Sequence, residues 1–166
     1  MLKNVDFEDF WADVNYADDY NEPEPSDELI LELENELGYK LPESYVKFMK
    51  KHNGGVPKYN LIPVCQPGYC FDVGLLGIFG IGKEKPNTIC GSYGTKFMVE
   101  EWGYPDIGVA ICDCFSAGHE MIFLDYRECG PKGEPKVSYV DQEWDYEITI
   151  IADSFEEFIG ALKMEV

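Results

Sequence analysis

No apolar run in the sequence approaches the roughly 18 residues that a membrane-spanning helix needs. The opening stretch, MLKNVDFEDFWADV, alternates acids with aromatics and lacks the basic and apolar regions of a signal peptide. A cytoplasmic protein without a membrane partner is therefore expected. Histidine is scarce, with two residues, and no C-x-x-C pair occurs, which argues against a Cys/His metal centre. G-x-S-x-G, H-E-x-x-H, P-loop and EF-hand patterns are also missing. With no repeat, low-complexity tract or break in composition, residues 1–166 read as a single domain large enough for a substantial core.

Positive charge is the other shortage. Thirteen Lys and Arg face 32 Asp and Glu, for a formal net charge of −19. Direct nucleic-acid binding uses basic side chains to displace counterions, so this balance disfavours it, as it disfavours anionic membranes. The charge is uneven. Residues 1–36 hold thirteen acids against Lys3, and 141–157 hold seven acids and no base. Residues 40–58 hold five lysines against Glu43. A solvated, soluble surface accounts for such acidity, and so does steering toward a basic protein.

What is present is a well-marked helical hairpin. Leu29, Ile30, Leu33 and Leu37 share one helical face, Ser26 stands at the N-cap, and Gly38 suits a left-handed closing residue. Pro42 suits the first position of a second helix whose stripe is Tyr45, Phe48 and Met49, with His52 one turn on as a structural histidine. Asn53-Gly54-Gly55 then ends it. Upstream, Phe7, Phe10, Trp11 and Val14 predict a short helix capped by Asp6. Tyr16 and Tyr20 lie in an acidic link, either tucked in or exposed.

Beyond Pro57 the pattern turns to short apolar segments cut by Gly and Pro. Segments 61–64, 69–76 and 78–81 read as short strands or loops with tight turns, with GIFGIG at 77–82 as a turn or bulge; strands are expected at 107–112, 121–126, 137–140 and 146–151, with a helix ending near Trp102-Gly103. Short connections favour antiparallel pairing. A last helix buries Phe155, Phe158, Ile159 and Leu162, with Asp153 and Glu156 at capping-box spacing. The fold class is α+β: a mainly antiparallel sheet with N-terminal helices and a C-terminal helix packed on it. The six cysteines are expected as thiols in a reduced protein, mostly as small core side chains, with Cys112 and Cys114 on one side of a strand.

The ordered set Glu34, Leu37, Gly38, Leu41, Pro42, Tyr45, Asn53, Gly54 and Gly55 resembles the N-terminal signature of the SUKH superfamily, the Smi/Knr-like proteins. The likeness continues through GIFGIG at 77–82, LDY at 124–126 and ADSFEEFI at 152–159. It implies the same α+β architecture. It also implies a binding function, because bacterial members resemble immunity proteins that neutralise polymorphic toxins and fungal members regulate through protein contacts. The resemblance carries no catalytic set.

Candidate chemistry is sparse. Asp113, Cys114, His119, Glu120 and Asp125 surround one predicted hairpin, but neighbouring strand residues point to opposite faces and acidic surroundings raise a thiol's pKa. A metal- or cysteine-dependent enzyme is the remote reading. No catalytic residue, metal ligand or cofactor is expected. Two loops look better suited to binding a protein. Glu100, Glu101, Trp102, Tyr104 and Asp106 form one, and Asp141, Glu143, Trp144, Asp145 and Tyr146 form the other. Their aromatics can anchor an interface, or can serve as core, while the carboxylates select a cationic partner. The leading expectation is an immunity-type protein that binds a basic toxin domain, such as a nuclease. The alternative is a regulatory or scaffolding interaction domain.

Overall fold

The computed structural model describes residue 6 and residues 8–164. Helices α1 (Asp27–Leu37) and α2 (Glu43–Lys51) form the hairpin, with Ile30, Leu33, Tyr45, Phe48 and Met49 buried. Ser26 Oγ accepts from Leu29 N at 3.1 Å, and Gly38 closes α1 at φ 84°. Pro42 stands one position earlier than expected, as the extended residue before the first turn of α2.

Six strands follow: β1 (Leu61–Gln66), β2 (Tyr69–Ile78), β3 (Gly108–Cys114), β4 (Glu120–Asp125), β5 (Lys136–Asp141) and β6 (Glu147–Ala152). They pair antiparallel in sequence order, a meander whose local connections explain the pairing. Helix α3 (Thr95–Glu100) precedes β3, and α4 (Phe155–Ala161) closes the fold. Strands β3 and β4 are buried on both faces, as central strands under helices should be. The core runs from these strands to an aromatic seam where the Phe155 ring meets those of Tyr45 and Phe48 at 5.1 and 5.4 Å. The sheet's first and last strands approach each other, and Gln66 Nε2 donates to Glu147 Oε1 at 2.9 Å.

The motifs that carried the family resemblance interlock here. Asn53 Nδ2 donates to the carbonyls of Pro23 and Ile81, each at 2.9 Å, while its Oδ1 accepts from Ile81 N at 2.7 Å. Gly54, at φ 82°, passes so close to Gly80 that a Cβ would lie 2.6 Å from its nitrogen. Tyr45 Oη donates to Phe79 O at 2.7 Å, and Glu34 Oε2 accepts from Leu41 N at 2.7 Å. These signature residues therefore hold the helical hairpin to the end of β2.

Three sequence expectations need correction, and one open alternative is settled. Phe7 lies outside the described residues, and from Phe10 to Val14 the chain is an extended strap rather than a helix, leading into a 3₁₀ turn at Asn15–Asp19. Ala12 N donates to Val56 O and Lys58 N to Phe10 O, both at 2.8 Å, so distant backbone supplies the bonds a helix would have made internally. The apolar spacing instead buries Phe10 and stacks Trp11 on His52 at 4.6 Å. The segment at 78–81, open between strand and turn, joins β2 only at Ile78 and turns away beyond it. Ser154, not Asp153, caps α4, accepting from Glu157 N at 3.1 Å. Finally, Cys65 and Cys70 form a disulfide. Their Cα atoms face each other at 4.1 Å beside the Pro67-Gly68 turn, a proximity that register creates and composition hides. Cys112 and Cys114 are buried thiols, pushed up by burial.

Candidate functional site

The two acidic-aromatic loops read from the sequence meet in space. Tyr146 Oη donates to the Trp102 carbonyl, and the Tyr146 ring lies edge-on to Tyr104 at 5.2 Å. Tyr104 is buried and donates to Gly118 O at 2.5 Å, so it ties its loop to the β3–β4 turn. Trp102 is half-buried over Gly118, where a Cβ would meet its ring at 3.0 Å, and stands edge-on to His119 at 5.7 Å. Trp144 is 72% exposed. Glu100, Glu101, Glu143 and Asp145 are exposed on the same loops. Asp106 does not join them. It lies just before the start of β3, away from the β3–β4 turn, in a cleft with Tyr39 and Arg127.

Between the second of these loops, the β3–β4 turn and the β1–β2 hairpin lies a cleft of about 460 Å³. Glu120, Asp141 and Glu143 bring carboxylates to it, and Tyr69, Phe71, Tyr139 and Trp144 bring rings. Each is placed by a local device. Glu120 opens β4 opposite Asp141, which ends β5. Asp141 Oδ1 then caps the following 3₁₀ turn by accepting from Glu143 N at 3.0 Å. Tyr139 Oη donates to Glu120 Oε2 and lies 3.3 Å from Asp141 Oδ2. Burial, then the bond to Glu120, pushes the Tyr139 hydroxyl far up, so it stays a donor. His119 Nδ1 stops 3.6 Å from Glu143 Oε1, too far for a hydrogen bond. That nitrogen, Ser116 Oγ and Gln142 Oε1 are shielded from solvent without a hydrogen-bond partner.

Backbone strain concentrates on the same face. Ala117, Asp145 and Tyr146 adopt φ of 54°, 56° and 59°, and among the described residues no other non-glycine has positive φ. Such conformations cost roughly 1–3 kcal/mol each and persist where surrounding contacts impose them. Here the bonds of Tyr146 and the turn at Gly118 do so. Acidic residues and rings were the visible signal in the sequence. Tyr69, Phe71 and Tyr139 were not, because they come from separate strands.

The residues of the remote enzymatic reading separate. Asp113 and Cys114 line a different cavity, with Trp102 between it and His119. Asp125 is engaged elsewhere, with Arg127 and Ser138. Among the described residues no group of three or more His, Cys, Asp or Glu could hold a metal ion. No described helix is long and apolar enough to cross a membrane.

No curated protein sequence matches the chain. The family model that does match covers residues 24–161, the span from α1 to α4 that the interlocked signature residues hold together, and the chain belongs to the SMI1/KNR4 family (SUKH-1).

Proposed function

We propose that this protein is a non-enzymatic binding domain of the immunity type, which neutralises a basic toxin domain by covering it. The observation that carries the reading is the cleft beneath Trp144, where Glu120, Asp141 and Glu143 converge among Tyr69, Phe71 and Tyr139. Rings supply the area and cation–π contacts that anchor lysine or arginine, and the carboxylates supply the charge. Family membership supports a protein partner. The net charge of −19 supports electrostatic capture of a cationic one, with association slowing as salt rises. A nuclease fits the chemistry, since an acidic face competes with nucleic acid for a cationic cleft.

The test uses the toxin domain encoded beside the gene. Purified protein should bind it and block its activity, and the double variant Trp144→Ala, Glu143→Gln should weaken binding at least about a hundredfold, as loss of an anchor does. Absence of binding and protection at low and high salt rejects the reading. Capture of a non-toxic partner by the same face would instead favour the regulatory alternative.

A further inference from the structure

On the other side of Trp102 from the acidic cleft is a second cavity of about 260 Å³, between α3, β2 and the β3–β4 turn. Its walls are apolar and aromatic, with Phe79, Tyr93, Phe97, Met98, Trp102 and Met121 contributing. Asp113 and Asn87 are its polar lining residues. Asp113 reaches this position at the end of β3 opposite Gly77. Tyr20 lies across Gly77 so closely that a Cβ there would be 2.1 Å from the ring, and its hydroxyl sits 2.9 Å from both Asp113 carboxylate oxygens. Asn87 Nδ2 is 3.4 Å from one of them. These donors are neutral, and among the described residues no lysine or arginine pairs with Asp113.

We propose that this cavity is an anchor site for one arginine side chain of a bound protein, with the guanidinium on Asp113 and the stem along Phe97, Met98 and Trp102. The inference rests on reading this face as a protein-binding surface. Size selects the occupant: the cavity falls below the about 300–1,000 Å³ of small-molecule and cofactor sites. Chemistry selects arginine over lysine, because a guanidinium is more weakly hydrated, stacks on rings and forks onto a carboxylate. The left-handed Ala117 and the half-exposed Tyr93 belong to the same cavity lining. Burial pushes the Asp113 carboxyl up to about 7, a cost that a seated cation removes. The other titratable groups around it are Tyr20, Cys112 and Cys114, whose own protonated forms burial favours.

The test is an amide NMR titration of the full chain at pH 8 with N-acetyl-arginine methylamide. The citrulline and leucine analogues are controls. Saturable shifts at Met98, Asp113 and Ala117 are expected with arginine. They should be at least about tenfold weaker with citrulline, which keeps the shape and loses the charge. They should vanish in Asp113→Asn, whose fold is checked by its own spectrum. In the wild-type protein the Asp113 carboxyl carbon should titrate at lower pH when the arginine probe is present. No saturable response, an equal response to citrulline or leucine, or an unchanged Asp113 titration overturns the assignment. A toxin that binds and is neutralised regardless of Asp113→Asn would also overturn it, while leaving the proposed function standing.

Discussion

Asp125 and Asp113 occupy opposite ends of the same pair of strands, and the fold treats them in opposite ways. Asp125 receives a fork from the chain's sole arginine, with Arg127 Nε and Nη2 at 2.9 and 2.7 Å, and Ser138 Oγ donates at 2.7 Å. Burial alone would raise this carboxyl, but Arg127 and Ser138 hold it below its ordinary value. Asp113 has a tyrosine and an amide and no cation, so burial dominates and its carboxyl rises. A buried acid that is fully paired serves the structure. One that is left without a counter-charge, in a cavity, marks a place where something else can bind.

The contrast can be broken most forcefully at Asp125. Asp125→Ala leaves the buried Ser138 hydroxyl and Arg127 without their acceptor, and should cost about 3 kcal/mol of stability by urea denaturation. A loss below about 1 kcal/mol would mean the pairing is not what holds this end.

Gly77→Ala attacks the other end. The new methyl overlaps Tyr20, which must leave Asp113, for an expected loss of about 2 kcal/mol. Unchanged stability would show that Tyr20 does not need this path to Asp113.

Asp113→Asn should act in the opposite direction to Asp125→Ala. A carboxyl moved from 3.8 to about 7 costs the ionised folded state at most about 4 kcal/mol. Asp113 keeps an edge open to water, so a gain of about 1–2 kcal/mol at pH 8 is expected. The sign of the pH dependence follows. Between about 4 and about 7 the folded protein binds the extra proton, so the Asp113 contribution to stability falls as pH rises and levels off above. The Asp125 contribution, from a depressed carboxyl, is present above 3.8 and is lost as pH falls through its lower folded value. The gain from Asp113→Asn should therefore shrink toward pH 4, and a gain independent of pH would refute the linkage.

The smallest effect belongs to Trp144. Its ring is exposed, so Trp144→Ala should leave stability within about 0.5 kcal/mol while weakening partner capture. A large destabilisation would make Trp144 a core residue and remove it from the binding face.

Much of the architecture was legible because it is written in local signals. Ser26, Gly38 and the Tyr45, Phe48, Met49 stripe fix the helical hairpin within a few residues of chain, and turn residues mark the meander. The two acidic-aromatic loops were visible for the same reason, as composition over seven residues. Their contact through Tyr146 and Trp102 was not, and neither was the departure of Asp106 to the far end of β3.

By itself, the sequence determined both ends of α1 and the antiparallel pairing, which depend on nearby residues and short connections, and it carried the family and the large negative charge. Only the tertiary structure decided that Phe10 and Trp11 form a strap, that Cys65 meets Cys70, and that Asp125 has an arginine while Asp113 has none. Those outcomes depend on burial and on how segments are brought together: the strap bonds to backbone at 56 and 58, the β1–β2 register sets Cys65 against Cys70, and Asp113 meets Tyr20 from 93 residues away.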